Sequence, residues 1–310
     1  MTHAWMPVSP CGAGCLPAAG AVPAAGCVRQ ACRLLAVGLL LVAGAGLFAV
    51  LPLLPGGVRE RTQRRWFRLL LAALEIRIRI TGEARFAARG QPVLVVSNHV
   101  SWLDLVALSA VQPVRLVAKS EVRDLLLIGP LATLAGTVYV DRERLRSLPD
   151  TVGALTRALR RGAAVGAFPE GTTWCGVAGG RFRPALFQAA VDAGAAVRPV
   201  AVNYRVADRP TTVTSFVGDA TMWRSLVTVA GVLGVGVQVQ VLPTIPPSPE
   251  PTLEAAADAV TTWGRAARRR ALAGAADRAV REVALPALPR LQPTGVVVPL
   301  EPSICAGIEP

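Results

Sequence analysis

A chain of 310 residues is long enough for one large domain or two small ones, and it can bury a sizeable hydrophobic core. Hydrophobic residues make up 52% and charged residues 17%, which excludes a wholly disordered chain, and the lack of charged heptads excludes a coiled coil. The net charge of +13 predicts a surface that binds phosphate groups of a membrane, a substrate or a nucleic acid.

The chain begins with a leader, residues 1–33, that is rich in Ala, Gly and Pro and is expected to be weakly structured. Most of the cysteines lie in this leader. The six cysteines of the chain are Cys11, Cys15, Cys27, Cys32, Cys175 and Cys305. Their irregular intervals lack the paired C-x-x-C spacing that is typical of zinc sites, so we predict no metal site.

An uncharged apolar run extends from Leu34 to Leu54. A helix of this length reaches about 30 Å, the thickness of the hydrocarbon core of a bilayer. More arginines follow the run than precede it, so if the segment spans a cell membrane, the positive-inside rule predicts that the C-terminal body lies on the cytoplasmic side. The alternatives are a helix that enters only one leaflet and a buried core helix.

The segment from Thr62 to Leu74 places arginines beside Trp66 and Phe67 and then continues with a leucine-rich face. This pattern is typical of an interfacial helix on anionic head groups, and equally of an amphipathic helix that packs on the body. Together with the apolar run it defines residues 34–74 as the predicted membrane-anchoring and interfacial helices.

Strand-like and helix-like segments alternate along residues 75–245. The predicted strands are Glu75–Ile80, Val93–Val96, Val114–Ala118, Thr137–Val140, Ala164–Phe168, Arg198–Asn203, Val213–Val217 and Gly236–Leu242. The predicted helices are Trp102–Ala110, Leu148–Arg161, Pro184–Ala193 and Thr221–Gly231. This order predicts an α/β domain with a mostly parallel sheet flanked by helices, preceded by a hydrophobic membrane helix. Such sheets place their sites at the carboxyl ends of strands.

Residues 246–285 are predicted to form a C-terminal helical region, with a helix over Thr252–Arg281 that Thr252 caps. The arginine cluster within it comprises Arg265, Arg268, Arg269 and Arg270. These arginines form either a solvated face or a second membrane contact. The proline-rich residues 286–310 are predicted to be a loose tail.

A histidine and an aspartate follow the predicted strand Val93–Val96, in the run S-N-H-V-S-W-L-D that ends at Asp104. On a continuous helix, His99 and Asp104 would lie about 140° apart, so they touch only if His99 lies on the strand-to-helix turn. Such a pair provides a general base, whose aspartate fixes the imidazole tautomer. Because no G-x-S-x-G elbow occurs, Ser101 lacks the setting of a nucleophile, and the base would activate a substrate hydroxyl.

Three further blocks follow in order. They are G-T-V-Y-V-D-R from Gly136 to Arg142, F-P-E-G-T from Phe168 to Thr172, and V-R-P-V from Val197 to Val200. With the N-H-x4-D block before them, they resemble the glycerolipid acyltransferase family of the 1-acyl-glycerol-3-phosphate acyltransferase type. The resemblance covers roughly Leu70 to Leu242.

The resemblance implies transfer of a fatty acyl group from acyl-CoA or acyl-carrier protein to the hydroxyl of 1-acyl-glycerol-3-phosphate. Phosphatidate would be the product, and no cofactor is implied beyond the acyl donor. His99 matches the family's catalytic base, and Asp104 matches its orienting carboxylate. The residues that match the family's substrate-binding positions are Lys119, Arg142, Glu170, Gly171 and Thr172. A mutual surface ion pair is the alternative for Arg142 and Glu170.

One departure from the family pattern concerns the residue after F-P-E-G-T, which is usually an arginine and here is Thr173. A bidentate phosphate donor is thereby lost, although Arg181 and Arg183 follow nearby. This leaves open a lysophosphodiester or lyso-ornithine lipid as the acceptor. A non-catalytic membrane-binding protein is the alternative from another class. The expected partners are membrane lipids and the acyl donor, and not nucleic acid, because the cations are scattered without interleaved aromatics.

Overall fold

The computed structural model describes residues 6–141, 144–247 and 264–285. Arg142, Thr252 and the predicted tail therefore lie outside the described residues. The helices are α1 (Cys27–Val50), α2 (Gly56–Ala73), α3 (Leu103–Val111), α4 (Ile128–Leu134), α5 (Leu148–Arg160), α6 (Phe187–Ala193), α7 (Met222–Ala230) and α8 (Arg265–Ala284). The strands are β1 (Arg77–Gly82), β2 (Val93–Ser97), β3 (Arg115–Lys119), β4 (Val138–Val140), β5 (Ala164–Ala167), β6 (Ala196–Val206), β7 (Arg209–Pro210) and β8 (Val235–Val241).

The strands form one mixed sheet in the order β1-β8-β6-β2-β5-β3-β4, and β7 pairs with β6 off this path. Neighbours from β6 through β2, β5 and β3 to β4 run parallel. β8 is antiparallel to β6, and β1 is parallel to β8. The predicted α/β fold with a mostly parallel, helix-flanked sheet is confirmed. Because β2, β3, β4 and β5 are parallel, their carboxyl ends meet at one edge of the sheet.

The central strand β2 is buried along its whole length because helices cover both faces of the sheet. Val93 and Val95 face the layer that contains α2 and α3. Leu94 and Val96 face the layer that contains α5, α6 and α8. The run V-L-V-V is therefore apolar at every position rather than alternating. The residues that follow β2 therefore lie at the edge of the sheet, between the two helical layers.

The predicted strand at Val213–Val217 is wrong, because this segment is a buried loop. Its backbone and side chains bond to other loops instead of a strand. The Phe216 N–H donates to the Val100 carbonyl at 2.9 Å, and the Ser215 hydroxyl donates to the Cys175 carbonyl at 3.0 Å. A buried apolar run is compatible with either arrangement, and here the loop partners satisfy the polar groups.

Helix α1 is not a core helix. One apolar stripe along it is exposed, at Leu35, Leu39, Val42 and Val50. Among the described residues, Cys27–Leu53 is long and apolar enough to cross a membrane, and only 22% of its most apolar window is buried. The opposite side of α1 packs on the body of the protein, so the helix joins a lipid-compatible surface to the α/β domain.

The buried side of α1 is fixed at both ends. Near its start, Arg33 is only 3% exposed and donates to the Ala230 and Val232 carbonyls, each at 2.8 Å, and to Glu75 Oε2 at 2.8 Å. Near its end, the Phe48 ring lies edge-on to Trp66 of α2, at a centroid distance of 5.0 Å. Helix α2 thus packs through its aromatic and leucine face, while most of its arginines are exposed.

Candidate active site

His99 lies on the turn between β2 and α3, and Asp104 lies in the first turn of α3. The structure brings the two side chains into contact, with His99 Nδ1 2.8 Å from Asp104 Oδ2. The five-residue spacing permits this because the chain reverses at Val100 to Trp102 instead of continuing as a helix. The imidazole keeps 17% of its surface exposed, whereas the aspartate is fully buried.

Asp104 is the centre of a hydrogen-bond network. Its Oδ2 also accepts the backbone N–H of Val100 at 2.7 Å and that of Ser101 at 2.8 Å. Its Oδ1 accepts the Tyr204 hydroxyl at 2.6 Å. Four donors therefore surround a carboxylate that is removed from water, which offsets the cost of burying its charge. The same network fixes the orientation of the imidazole and leaves Nε2 as the ring nitrogen for proton transfer.

Tyr204 is a site residue that the sequence analysis missed. It lies on β6, and its side chain is 4% exposed. Burial, reinforced by the charge of Asp104, holds the pKa of Tyr204 well above its usual value, so the hydroxyl stays protonated and donates. The signal was the alternation Val200, Val202, Tyr204, which places the tyrosine on the sheet face that α3 covers.

Asn98 is a second residue that the sequence analysis did not assign. Asn98 is 9% exposed, and its side-chain amide bonds to the backbone of β6 in the way that a residue of a neighbouring strand would. The Asn98 amide donates to the Val202 carbonyl at 2.9 Å, and its carbonyl accepts the Val202 N–H at 2.9 Å. These two bonds replace backbone pairing at the point where β2 turns away, and they fix the residue before His99.

Glu170 bonds to the backbone of the histidine loop. Its Oε2 accepts the His99 N–H at 2.7 Å, and its Oε1 accepts the Gly180 N–H at 3.0 Å. Glu170 is 5% exposed, so a surface ion pair does not describe it. Burial raises the pKa of Glu170 to about 8, although the two backbone N–H groups act in the opposite direction. The contact indicates that this glutamate positions His99.

Two further contacts hold His99 from the side of the third motif block. The backbone N–H of Trp174 donates to the His99 carbonyl at 2.7 Å. The Phe168 ring stacks on the imidazole, with a centroid distance of 4.0 Å and an interplanar angle of 15°. With Glu170, these contacts fix both the main chain and the ring of the histidine. The F-P-E-G-T block therefore supports the H-x4-D block directly.

A cavity of about 860 Å³ opens beside His99. Its apolar wall includes Leu41, Phe48, Phe67, Leu70, Leu103, Val106, Leu125 and Leu131. Its polar lining includes His99, Lys119, Thr172, Thr173, Arg183 and Arg269. The volume and the mostly apolar surface are those of a site for a lipid-sized ligand. The apolar wall extends to α1 and α2, and α1 is the helix that carries the exposed apolar stripe.

The sequence-predicted binding residues reach this cavity in different ways. Lys119 ends β3, is exposed, and lines the cavity. Gly171 has φ +79, a left-handed conformation that favours glycine, and a side chain there would meet Pro7 at 2.8 Å. Thr172 lines the cavity beside it. Arg142 lies outside the described residues.

Thr173 stands where the resemblance leads us to expect an arginine. Its hydroxyl donates a short hydrogen bond to the Phe216 carbonyl. The hydroxyl proton is thereby committed to the protein backbone. Thr173 therefore supports the loop at Phe216. Within the described part of the chain, the cations on the cavity wall are Lys119, Arg183 and Arg269.

Comparisons with known proteins agree with this geometry. Residues 77–203 match the Acyltransferase family. The chain is 39% identical over 191 residues to a lyso-ornithine lipid O-acyltransferase of Pseudomonas aeruginosa, a match that covers 58% of this chain and 70% of that protein. It is 40% identical over 152 residues to a 1-acyl-sn-glycerol-3-phosphate acyltransferase of Neisseria meningitidis, covering 48% of this chain and 59% of that protein.

A solved structure shares the fold. The 1-acyl-sn-glycerophosphate (LPA) acyltransferase PlsC from Thermotoga maritima superposes with a TM-score of 0.56 at 16% identity. The superposition covers 83% of this chain and 95% of that one. The sequence relatives and the shared architecture agree with each other: the chain belongs to the acyltransferase family.

Proposed function

We propose that this protein transfers a fatty acyl group from acyl-CoA or acyl-carrier protein to the hydroxyl of 1-acyl-glycerol-3-phosphate, producing phosphatidate in phospholipid biosynthesis. The observation that carries the proposal is the His99–Asp104 pair, 2.8 Å apart, whose histidine lines an apolar cavity of about 860 Å³. A histidine that is oriented by an aspartate can act as a general base, and a mostly apolar cavity of this size can hold an acyl chain.

In the proposed reaction, His99 Nε2 removes the proton from the acceptor hydroxyl as its oxygen attacks the thioester carbonyl. Asp104 accepts the Nδ1 proton and stabilises the imidazolium that forms. The tetrahedral intermediate then collapses, the ester bond stays, and the carbon–sulfur bond breaks. The imidazolium returns its proton to the leaving thiolate, so the histidine is neutral again at the end of each cycle.

The acceptor's phosphate would lie at the cationic part of the cavity. Lys119 and Arg183 line the same cavity as His99, and Arg269 of α8 adds a third cation. A phosphate monoester is bound most strongly by convergent cations that also donate hydrogen bonds. On this proposal, Lys119 and Arg183 bind the phosphate and thereby orient the glycerol hydroxyl toward the imidazole.

A lyso-ornithine lipid is the second candidate acceptor, and Thr173 favours it. The position offers a hydroxyl committed to Phe216 instead of a guanidinium, which reduces the demand for a doubly charged phosphate. The Pseudomonas aeruginosa relative that acts on this lipid is 39% identical to the chain. The chemistry at His99 would be the same, and only the head-group contacts would differ.

We further propose that the body lies on the cytoplasmic face of the cell membrane. The exposed apolar stripe of α1 would enter the bilayer, and the exposed arginines Arg59, Arg61 and Arg65 of α2 would meet anionic head groups. The packed side of α1 contributes Leu41 and Phe48 to the cavity lining, so the helix that carries the stripe also lines the site.

The test is an acceptor competition with detergent-purified full-length protein and one labelled acyl-CoA. Lysophosphatidate, glycerol-3-phosphate, a lysophosphodiester and lyso-ornithine lipid are offered together, and a His99→Ala protein is the control. We expect lysophosphatidate to be acylated fastest. Faster acylation of lyso-ornithine lipid would move the assignment to the second candidate. Absence of transfer to any acceptor would support the non-catalytic, membrane-binding alternative and overturn the proposal.

A further inference from the structure

Two cysteine thiols of the leader meet a third thiol, which is distant in sequence, beside the active site. Cys11 and Cys15 belong to the leader, and Cys175 belongs to the loop after F-P-E-G-T. Each of the three sulfur atoms lies within 4.8 Å of the other two. Cys11 is 8% exposed and Cys175 is 3% exposed, and all three are free thiols. We call this group the thiol cluster.

The local structure of the leader brings its two thiols together. A single 3-10 turn over Ala13–Cys15 folds the chain back, with the Cys15 N–H donating to the Gly12 carbonyl at 3.0 Å. The Cys175 N–H donates to Cys11 Sγ at 3.4 Å, which ties the leader to the loop. Apolar side chains enclose the cluster, namely Leu16, Trp174, Val177 and Val217.

The number and spacing of the sulfurs favour a metal over a disulfide. A disulfide would use two thiols and leave the third unpaired in an apolar enclosure. Zinc–sulfur bonds of about 2.3 Å in tetrahedral geometry separate sulfur atoms by about 3.8 Å. The three sulfurs here all lie within 4.8 Å of one another, a range that includes this separation. The C-x3-C interval from Cys11 to Cys15 also falls within the two- to four-residue spacing of zinc ligands.

We propose that Cys11, Cys15 and Cys175 bind a thiophilic divalent cation of the zinc type through three thiolates, with water in the fourth position. Our sequence-based prediction of no metal site rested on local spacing. Intervals along the chain do not show that Cys175, which is 160 residues from Cys15, is brought to it by the fold. The apolar surroundings limit the access of bulk water to the thiolate–metal bonds, apart from the one water ligand proposed here.

The site would fasten the leader over the active site. The neighbour of Cys175, Trp174, donates its N–H to the His99 carbonyl. Upstream of Cys11, Pro7 lies against Gly171 and lines the same cavity as His99. A metal that joins Cys11 and Cys15 to Cys175 would therefore hold Pro7 at the cavity wall and rigidify the loop that positions the histidine.

The experiment measures metal binding and not turnover. Full-length protein, purified in detergent under a non-thiol reductant, is dialysed against zinc or cobalt, and bound metal is quantified by mass spectrometry of the elements. We expect one zinc ion per chain bound by the cluster, and an intense thiolate-to-cobalt charge-transfer absorption in the cobalt protein. Protease cleavage within the leader should slow when zinc is bound.

Cysteine variants identify the ligands. Cys11→Ser and Cys15→Ser should each lose most of the bound metal and the charge-transfer band. Both lie in the leader, outside the two clusters that form the core on either face of the sheet. Cys32→Ser is the matched control, because Cys32 is a free, exposed thiol on α1, and it should keep both signals. Three results would each overturn the proposal. They are equal metal content in Cys11→Ser and Cys32→Ser, no metal in the parent protein, and a Cys11–Cys175 disulfide in the parent protein in place of the metal.

Discussion

The Tyr204 hydroxyl donates a 2.6 Å hydrogen bond to Asp104, the same carboxylate that holds the His99 imidazole through its other oxygen. The tyrosine and aspartate lie 100 residues apart, so the bond ties the sheet to the histidine turn. Removal of the hydroxyl would take away the hydrogen-bond donor of Asp104 Oδ1, an oxygen of a buried carboxylate. Tyr204 therefore acts through Asp104 as a positioning residue.

Tyr204→Phe should lower kcat/KM about tenfold, because a lost donor to a buried carboxylate is worth about 1–3 kcal/mol. The acid limb of the pH–rate profile should shift to higher pH, because a less well-bonded carboxylate attracts the imidazolium more strongly. A purely structural role would lower stability and leave this limb in place. Tyr139→Phe is the control, because the Tyr139 hydroxyl bonds to Thr133 and Gly129 and not to the histidine.

His99→Ala should lower kcat by at least about a hundredfold, because the proposed general base is lost. The thermal unfolding midpoint should change little, because the histidine side chain contributes one ring contact and one hydrogen bond to the fold. Turnover and circular dichroism on the same preparation test both expectations. Near-normal transfer by a folded variant would show that another group removes the proton.

The raised pKa of Glu170 makes stability depend on pH. Its pKa is about 8 in the folded protein against 4.5 as the ordinary value, so between these pH values the folded state binds more protons than the unfolded state. The free energy of unfolding should then fall as pH rises from 4.5 to 8, by up to roughly 1.4 kcal/mol per pH unit from this group.

Glu170→Gln should flatten that dependence, because the amide does not titrate. The variant should also lose transfer activity, since its amide nitrogen cannot accept one of the N–H groups of His99 and Gly180. Urea denaturation in detergent at pH 5, 6.5 and 8 measures the slope. An unchanged slope in the variant would assign the pH dependence to other groups.

Lys119→Ala should raise KM for lysophosphatidate about tenfold and leave kcat nearly unchanged, because the proposed contact is with the phosphate and not with the reacting hydroxyl. Arg115→Ala is the matched control, since Arg115 is an exposed cation on the same strand. Equal effects of the two variants would reduce the role of Lys119 to general surface charge.

Two arginines of α1 that share Glu75 allow a direct comparison. Arg33 is 3% exposed and bonds to two carbonyls as well, whereas Arg29 is 56% exposed. Arg33→Ala should lower the free energy of unfolding by about 2–4 kcal/mol, because it leaves buried acceptors unpaired. Arg29→Ala should cost under about 1 kcal/mol. Chemical denaturation of the two variants in parallel checks the difference.

The sequence was most informative where contacts are local. The H-x4-D spacing required a turn at His99 if the two side chains were to touch, and the structure has that turn. The alternation of strands and helices gave the α/β layers. Long-range contacts were not predictable in this way. The pairing of Asn98 with Val202 spans 104 residues and depends on the β2–β6 register, which no local pattern encodes.

One physical reason explains both the wrongly predicted strand and the contacts of Glu170 that the sequence did not predict. The run Val213–Val217 is apolar because it is buried, and burial by itself does not distinguish a strand from a loop whose polar groups bond to Val100 and Cys175. Similarly, the resemblance associates Glu170 with the acceptor, yet its carboxylate bonds to the backbone of His99 and Gly180. In both cases the partners are other loops, which only the assembled fold brings near.

The anchoring of α1 has a consequence for how substrate arrives. Arg33 bonds the start of the helix to the body, and Phe48 packs on Trp66 near its end, so the helix is attached to the body at both ends. On the proposed membrane placement, with the apolar stripe in lipid, the height of His99 above the acyl chains would be set by the fold. A lyso-lipid that diffuses laterally in its own leaflet would then meet the imidazole at a constant depth, without first being extracted into water.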